Sequence, residues 1–256
     1  MALPTPHYYQ IKQAPNLVAR VKVNDVPWYR RVVDFHHAPA GPANHLFLPG
    51  ENDVTIEINS TEQDPYMIRT FELLFMKESD DSRIFRAKFP DYMDEYPKEE
   101  RKLPFTHKQR FLFEETSPLP VWFNAPREGF SSEGTSEQHE AVRELHSAYA
   151  NRDIDAFLHA MEHKTAEFAK FYGHLPELSP ENARASYGKT LREPWDLRPY
   201  DPNELVFERH CEGRVAYVTR RDGGPALSAE HKLDPSQTWQ ANLLLTRIDG
   251  RWRIFW

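Results

Sequence analysis

The stretch that decides the fold reads Leu244-Leu245-Thr246-Arg247-Ile248-Asp249-Gly250-Arg251-Trp252-Arg253-Ile254. Apolar and polar residues alternate on both sides of Asp249-Gly250, a dipeptide that favours the two-residue turn of a β-hairpin. We therefore predict strands over 238–248 and 251–256, joined by that turn. Alternating patterns ahead of this hairpin predict three more strands, over 205–210, 214–219 and 226–233.

The residues before these strands have a helical period. Thr135 and Gln138 have the spacing of a capping box, which marks the start of a first helix. Asp153 has the residue type of an N-cap for a second helix, which we expect to run on to Tyr172 and end at Gly173. A third helix is predicted over 180–191, where Pro180 occupies the first turn.

Two of these stretches resemble the NTF2-like (SnoaL-like) fold family. They are Ala148-Tyr149-Ala150-Asn151-Arg152-Asp153-Ile154-Asp155-Ala156-Phe157, within 140–161, and the closing hairpin over 244–254. The resemblance implies a cone of helices over a curved antiparallel sheet. It also implies a wide choice of functions, because the family includes isomerases, dehydratases, polyketide cyclases, association domains and inert binding modules. Enzymatic members place an acid, a base or a His inside the cone, and no residue of this chain matches such a role.

The first half of the chain has the pattern of a β-sandwich. Apolar residues alternate with polar ones over 17–23, and Pro49-Gly50-Glu51-Asn52-Asp53 is one of several turn signals between strand-like runs. Further strands are predicted over 26–35, 45–48, 54–58, 66–76, 83–89, 105–113 and 119–123. The stretch 48–56 resembles the turn-plus-strand entry of jelly-roll and C2-like sandwiches, which assigns no family.

We therefore predict an α+β protein with two domains. An antiparallel β-sandwich covers 1–126, a linker rich in Pro, Gly and Ser covers 127–136, and the NTF2-like domain covers 137–256. A chain of 256 residues exceeds the usual size of a single core, which agrees with two.

Composition restricts the class of protein. With 39% apolar and 28% charged residues, the chain has the composition of a globular protein. The net charge of −7 argues against a nucleic-acid binder, and we expect no membrane insertion because no apolar run reaches the length of a membrane span. The single cysteine, Cys211, agrees with a cytoplasmic protein. A periplasmic location is the alternative if a signal peptide has been removed.

Two His-containing motifs were considered as metal sites. His159-Ala160-Met161-Glu162-His163 has the H-x-x-E-H pattern of inverted zinc peptidases, but the helical period places both His side chains opposite the apolar face. Asp34 and His36 fall on one strand face without a third ligand. We predict no metal and no cofactor.

The candidate pocket residues belong to the predicted cone. They are Tyr149, Tyr172, Tyr217, His231 and Trp239. Such a mixture of apolar and polar side chains is typical of small-ligand pockets, and His231 is the candidate general base because His titrates near neutral pH.

Three functions remain open at this point. The first is a non-catalytic module that binds a protein partner, for example an immunity or inhibitor-type protein of a bacterial toxin system, since no coherent catalytic set is present. The second is a SnoaL-like isomerase, cyclase or dehydratase acting on a small hydrophobic substrate. The third is a carbohydrate- or lipid-binding sandwich with Trp28 or Trp122 as an exposed stacking platform.

Overall fold

The chain contains both helices and strands, and the strands form antiparallel sheets. A computed structural model describes residues 5–15, 17–32, 38–60, 70–89, 91, 103–173 and 180–256. These residues form four helices and four antiparallel sheets. The chain divides into two compact units, Met1–Leu119 and Pro120–Trp256.

The first unit contains two four-stranded sheets. Its strands are β1 (His7–Gln13), β2 (Leu17–Val23), β3 (Val26–Val32), β4 (Ala40–Pro42), β5 (Gly50–Ser60), β6 (Phe71–Lys77), β7 (Arg83–Phe89) and β8 (Phe105–Phe113). One sheet has the order β4-β1-β6-β7 and the other β3-β2-β5-β8, and every pairing is antiparallel.

One hydrophobic core unites the two sheets. Leu17, Ala19, Val21 and Val23 of β2 are fully buried and alternate with the partly exposed Val18, Arg20 and Lys22, the alternation that the sequence predicts. Phe47 lies at the centre, with ring centroids 4.9 Å from Phe75 of one sheet and 5.2 Å from Phe111 of the other. Burial of such large side chains is the main stabilising contribution in this unit.

Two predicted strands of the first half are wrong, and two strands, β1 and the short β4, were missed. The stretch 45–48 contains a short 3₁₀ helix, Asn44–Leu46, and the stretch 119–123 leads into another, Val121–Asn124. In the first case the Asn44 side chain accepts a hydrogen bond from the His7 N–H at 2.7 Å and donates to the Thr5 carbonyl at 2.8 Å. This side chain therefore makes the bonds to the neighbouring main chain that a strand would make with its backbone. The same contacts fix the start of β1, a strand that the sequence pattern did not predict.

The second unit places helices before strands. Its elements are α1 (Ser136–Ala150), α2 (Ile154–Ala160), α3 (Glu162–Tyr172), α4 (Pro180–Arg192), β9 (Trp195–Leu197), β10 (Leu205–His210), β11 (Val215–Arg220), β12 (Leu227–His231), β13 (Asp234–Ala241), β14 (Leu243–Ile248) and β15 (Arg251–Ile254). One sheet has the order β10-β11-β14-β15 and the other β13-β12-β9.

The predicted helix signals are confirmed, except that the second helix is broken. Thr135 and Gln138 form the capping box, and the Asp153 carboxylate accepts from two N–H groups at the start of α2. At Met161 the backbone leaves helical geometry, with φ −101° and ψ 4°, so α2 and α3 are separate helices. Side chains of α1 and α2 join the sheet residues in one core.

The closing hairpin is also confirmed. Ile248 pairs with Arg251, and both turn residues have positive φ, 49° at Asp249 and 79° at Gly250. The predicted strand 238–248 is present as β13 and β14, which are separated by Asn242. β12 pairs with β13, and β11 pairs with β14.

The predicted linker, 127–136, belongs to the second unit. The Phe130 ring lies 5.3 Å from the Trp252 ring, and the Ser132 carbonyl accepts from the Phe207 N–H at 2.9 Å. Arg247 pairs with Glu128 at 2.5 Å. Aromatic packing and these polar contacts fix the stretch, so the division of the chain lies ahead of it, between Leu119 and Pro120.

Candidate functional site

Tyr149 and Trp239, two of the predicted pocket residues, are in direct contact. The Tyr149 ring on α1 stacks on the Trp239 ring on β13, with centroids 4.4 Å apart and 29° between the planes. Tyr149 is 4% exposed, and its hydroxyl has no hydrogen-bond partner among the described residues. Burial raises the pKa of Tyr149 above its ordinary value, so this side chain is a neutral phenol at physiological pH.

His231 lies at the end of β12 on the same face of the sheet as Trp195. Its ring meets Trp195 edge-on at 5.2 Å, and its Nε2 lies 3.6 Å from the Glu193 carboxylate. The His231 Nδ1 is buried and has no hydrogen-bond partner within the described ranges. The pairing of β12 with β9 aligns Trp195 with His231 and Leu197 with Ala229, so these residues face the helices together with Trp239, which is opposite Ala229.

Tyr217 and Tyr172 lie elsewhere. Tyr217 alternates along β11 with Ala216 and Val218, whose side chains belong to the core under the helices, so its ring is on the opposite face of that sheet. Tyr172, at the end of α3, is 1% exposed, and its ring lies 5.7 Å from Phe168. The structure therefore brings Tyr149 and Trp239 together, places His231 on the same inner face, and separates the other two.

The His159–His163 motif is interrupted by the helix break. Glu162 contacts both rings, with 3.2 Å to His159 Nδ1 and 3.3 Å to His163 Nε2. The His159 side chain is 67% exposed and that of His163 is 23% exposed. No group of three His, Cys, Asp or Glu side chains among the described residues could hold a metal ion, and Asp34 and His36 lie outside those residues.

The two tryptophans of the third hypothesis are buried. Trp28 is 8% exposed and packs in the core of the first unit, where its ring lies 4.7 Å from Tyr9. Trp122 is 4% exposed. The expectation that Trp28 or Trp122 is exposed is therefore wrong, and neither side chain provides the stacking platform of that hypothesis.

A cavity of about 390 Å³ lies between α1 and α2 and was not predicted. Its lining includes Arg143, Glu144, Asn151, Asp153 and His159. Two of these side chains are already engaged, because Arg143 pairs with Glu140 at 3.1 Å and Asp153 caps α2. The cavity is an open surface groove that combines apolar surface with side chains of both charges.

The outer edge of β13 is the other feature that the sequence analysis missed. β13 is the terminal strand of its sheet, with β12 on one side. Leu244, just beyond it, donates its N–H to the Trp256 carbonyl and accepts from the Phe255 N–H, each at 3.0 Å, so these groups point toward β15. Because the direction of main-chain groups alternates along a strand, the N–H and C=O groups of Asn242, Gln240 and Thr238 point to the same side. The pairing with β12 shifts register between Thr238 and Asp234, so this alternation does not extend to residues 234–237. We call this side of residues 234–242 the open edge.

In the described part of the chain, no strand pairs with β13 along the open edge. Hydrogen-bonding groups at the start of the open edge are already engaged. The Asp234 carboxylate accepts from the Ser236 N–H at 3.2 Å and from the Gln237 side-chain amide at 2.8 Å. Pro235, Ser236, Gln237 and Thr238 are all exposed, so both faces of the strand meet solvent there. The groups available to a partner are therefore those of Thr238 and Gln240.

Charge distinguishes the open edge from the other sheet edges. Natural proteins protect exposed edges with charged side chains or by keeping the edge strand short. β4 and β9 contain three residues each, and the remaining terminal strands all carry charge. The charged residues are Arg30 and Arg31 on β3, Arg83, Arg86 and Lys88 on β7, Lys108 and Arg110 on β8, Glu208 and Arg209 on β10, and Arg251 and Arg253 on β15. The open edge has one charged residue, Asp234 at its start, and none from Pro235 to Asn242. Its first part is protected by Pro235 and by an irregular pairing with β12, so the unprotected part begins at Thr238.

One sequence signal could have identified this edge, namely the uncharged and mostly polar run 235–242, which follows Asp234 and the turn at Lys232-Leu233.

Among the described residues, none of the helices is long and apolar enough to span a membrane. Comparison of the chain with protein-family models, with curated proteins and with solved structures found no match.

Proposed function

We propose that this chain is a non-catalytic protein-binding module, and that the open edge of β13 receives a strand from its protein partner. The observation that carries the proposal is that the outer main-chain groups of Thr238 and Gln240 have no strand partner in the described part of the chain, on a terminal strand of eight residues whose only charged side chain is that of Asp234. In strand addition, main-chain hydrogen bonds provide affinity and alternate side chains provide specificity.

The candidate pocket residues of the second unit give less support to a catalytic function. A general base needs to lie within hydrogen-bond reach of a substrate proton, together with a second polar group that stabilises the developing charge. Tyr149 and His231 face the same inner side of the second unit, but Tyr217 and Tyr172 are directed elsewhere.

The proposed fold is a β-sandwich followed by an NTF2-like cone. In this fold the hairpin β12–β13 is the recognition element.

The chemistry of the partner follows in part from charge. The chain carries a net charge of −7, which favours association with a basic protein through long-range attraction. An immunity or inhibitor-type protein that covers a basic toxin is one form of this proposal. From Thr238 to Asn242 the open edge carries no charge, so it would add main-chain pairing to that attraction.

A backbone-specific substitution tests the proposal. Thr238→Pro removes an N–H that points outward, where proline is compatible with an edge strand, and it leaves the pairing with β12 in place. Thr238→Ala removes the side chain and keeps the N–H, so it is the matched control. Wild type and both variants are immobilised and exposed to native extract, and a captured protein is then purified and titrated against each by calorimetry.

The expected result is that Thr238→Ala binds the purified partner as wild type does, whereas Thr238→Pro binds it more than about tenfold more weakly. The proline removes one main-chain hydrogen bond, and its ring occupies space next to the partner strand. Equal binding by both variants would overturn the assignment of the open edge. Circular dichroism and thermal unfolding of Thr238→Pro establish that the fold is retained.

A second candidate function, a site for a small hydrophobic ligand in the second unit, is favoured by one observation. The Tyr149 hydroxyl and the His231 Nδ1 are buried without a partner among the described residues, and a buried unpartnered polar atom costs about 1 to 3 kcal/mol. A ligand with a polar group would satisfy them. A thermal-shift screen of small aromatic carbonyl compounds tests this function, and a shift that Tyr149→Phe and His231→Ala do not diminish would exclude these residues as its site.

A further inference from the structure

Two acidic side chains lie in one row with the first unprotected residue of the open edge. Thr238 on β13 pairs with Glu230 on β12, and Glu230 in turn pairs with Asp196 on β9. All three residues are exposed, and residues paired across neighbouring strands lie on the same face of a sheet. Their chain neighbours Trp239 and Leu197 pack in the core with the helices, so the acidic row is on the outer face.

The charge of this row is not balanced within the described part of the chain. Glu230 and Asp196 face each other directly, an arrangement of like charges that destabilises a sheet. Neither carboxylate forms an ion pair among the described residues. Arg198, which follows β9, is engaged by two other carboxylates, and the exposed Lys232 lies in the hairpin turn beyond β12. A cation supplied by a partner would therefore relieve the repulsion.

A strand added to the open edge brings its side chains within reach of Glu230. Neighbouring strands lie about 4.8 Å apart, so the residue opposite Thr238 is about 10 Å from the main chain of Glu230. The Thr238 side chain between them is short and exposed. A lysine or arginine opposite Thr238 can span this distance together with the Glu230 side chain, because its long apolar stem can lie along the sheet surface. A short side chain cannot.

The other face of an added strand meets apolar surface. The residue opposite Trp239 lies on the side of the sheet that packs against the helices, next to an indole that is partly exposed although it stacks on Tyr149. The residue opposite Ala241, which is also partly exposed, lies on the same side. Apolar side chains at these two positions remove part of this surface from water.

We infer that the open edge receives an amphipathic strand, with lysine or arginine opposite Thr238 and apolar residues opposite Trp239 and Ala241. This inference rests on the proposed strand-receiving edge and names the chemistry of its partner. The regular pairing with β12 covers Thr238 to Ala241, so the recognised segment is short and its alternation provides the specificity. An acidic strand is rejected, because its carboxylate would be added to those of Glu230 and Asp196.

Binding of short capped peptides to the full chain tests the inference. One peptide alternates valine with lysine, a second alternates valine with glutamate, and a third alternates serine with lysine. Calorimetric titration should show that the valine-lysine peptide binds more than about tenfold more tightly than either of the others. Added salt should weaken its binding, because the ion pair is exposed. No binding of the valine-lysine peptide, or equal binding of the valine-glutamate peptide, overturns the inference.

Two matched variants locate the charge that the peptide contacts. Glu230→Gln removes one carboxylate of the row and should weaken the valine-lysine peptide by about two- to fivefold, the range expected for an exposed ion pair. Glu181→Gln, at an exposed position of α4, changes the net charge equally and should leave binding unchanged. Equal weakening in both variants would mean general attraction to an acidic chain, and it would contradict the inference.

Thr238→Pro separates this inference from the proposed function. The account expects this variant to weaken the valine-lysine peptide more than about tenfold. If it weakens valine-lysine and valine-glutamate peptides that bind equally to wild type, the edge receives strands without regard to charge, so the inference falls and the proposed function stands. If it weakens neither while Glu230→Gln does, lysine binds the acidic face without strand addition, and both fall.

Discussion

The phenol of Tyr149 stacks on the indole of Trp239 with 4.4 Å between ring centroids. This contact ties the first helix of the second unit to β13, the strand that carries the open edge. The Trp239 side chain packs against the helices, while the neighbouring residues Thr238 and Gln240 have main-chain groups that point to the open edge. The stacking therefore holds the strand in position without using its outer edge.

The buried hydroxyl of Tyr149 gives the first prediction. Because it has no partner among the described residues, Tyr149→Phe should raise the free energy of unfolding by about 1 kcal/mol. Tyr200→Phe is the control, since the Tyr200 hydroxyl donates to the His139 carbonyl at 3.2 Å and its loss should lower stability. Denaturant titration measures both. A clear loss of stability in Tyr149→Phe would mean that the hydroxyl is satisfied in the native protein.

A close backbone approach gives the second prediction. Gly213 has φ +93°, and a Cβ there would lie 2.0 Å from the Glu128 carbonyl oxygen. Gly213→Ala should therefore destabilise the second unit by about 2 to 4 kcal/mol. Gly129→Ala, where a Cβ meets open space, should change stability by less than about 0.5 kcal/mol. Similar midpoints of thermal unfolding for the two variants would contradict this packing.

The third prediction concerns His7 in the first unit. Burial lowers the pKa of His7 from 6.5, outweighing its hydrogen bond to Thr5 and the attraction of Glu115. The neutral ring is thus favoured in the folded state, so its contribution to stability is complete above pH 6.5 and declines as pH falls from that value toward the folded pKa. Titration of the His7 ring protons by NMR should give a midpoint below 6.5. A midpoint above 6.5 would show that attraction by Glu115 exceeds the cost of burial.

Glu167 gives the fourth prediction. It is 4% exposed, and it accepts from the Val121 N–H at 2.7 Å and from Lys170 at 2.5 Å. Glu167→Ala leaves the part-buried Val121 N–H without its acceptor and should cost about 1 to 3 kcal/mol. Glu167→Gln keeps an acceptor for Val121, so its cost should be clearly smaller. Equal losses in chemical denaturation would show that the bond to Val121 contributes nothing.

Local sequence signals predicted the elements whose geometry depends on a few neighbouring residues. The capping box at Thr135 and Gln138, the cap at Asp153 and the turn at Asp249-Gly250 all act over two to three positions, and all three are confirmed. The break at Met161 was missed because the sequence around it contains no Gly or Pro. The short helix at Asn44 was missed because its side chain bonds to residues far along the chain.

The candidate site depended on information that periodicity does not contain. Alternation assigns a residue to one face of a strand, but it does not say which strands are neighbours or which edge stays unpaired. Tyr217 was placed with Tyr149 because both were expected in one concave layer, whereas Tyr217 belongs to the other face of its sheet. The open edge became recognisable only when the sheet order showed that β13 is terminal.

Amide hydrogen exchange of β13, with and without the purified partner, tests the central claim most directly. In the dilute free protein, the amides of Thr238 and Gln240 should exchange faster than those of Trp239 and Ala241, which face β12. In the complex, the Thr238 and Gln240 amides should slow by more than about tenfold, because strand addition gives them acceptors. A complex that forms while these two rates stay unchanged would show that the partner binds elsewhere.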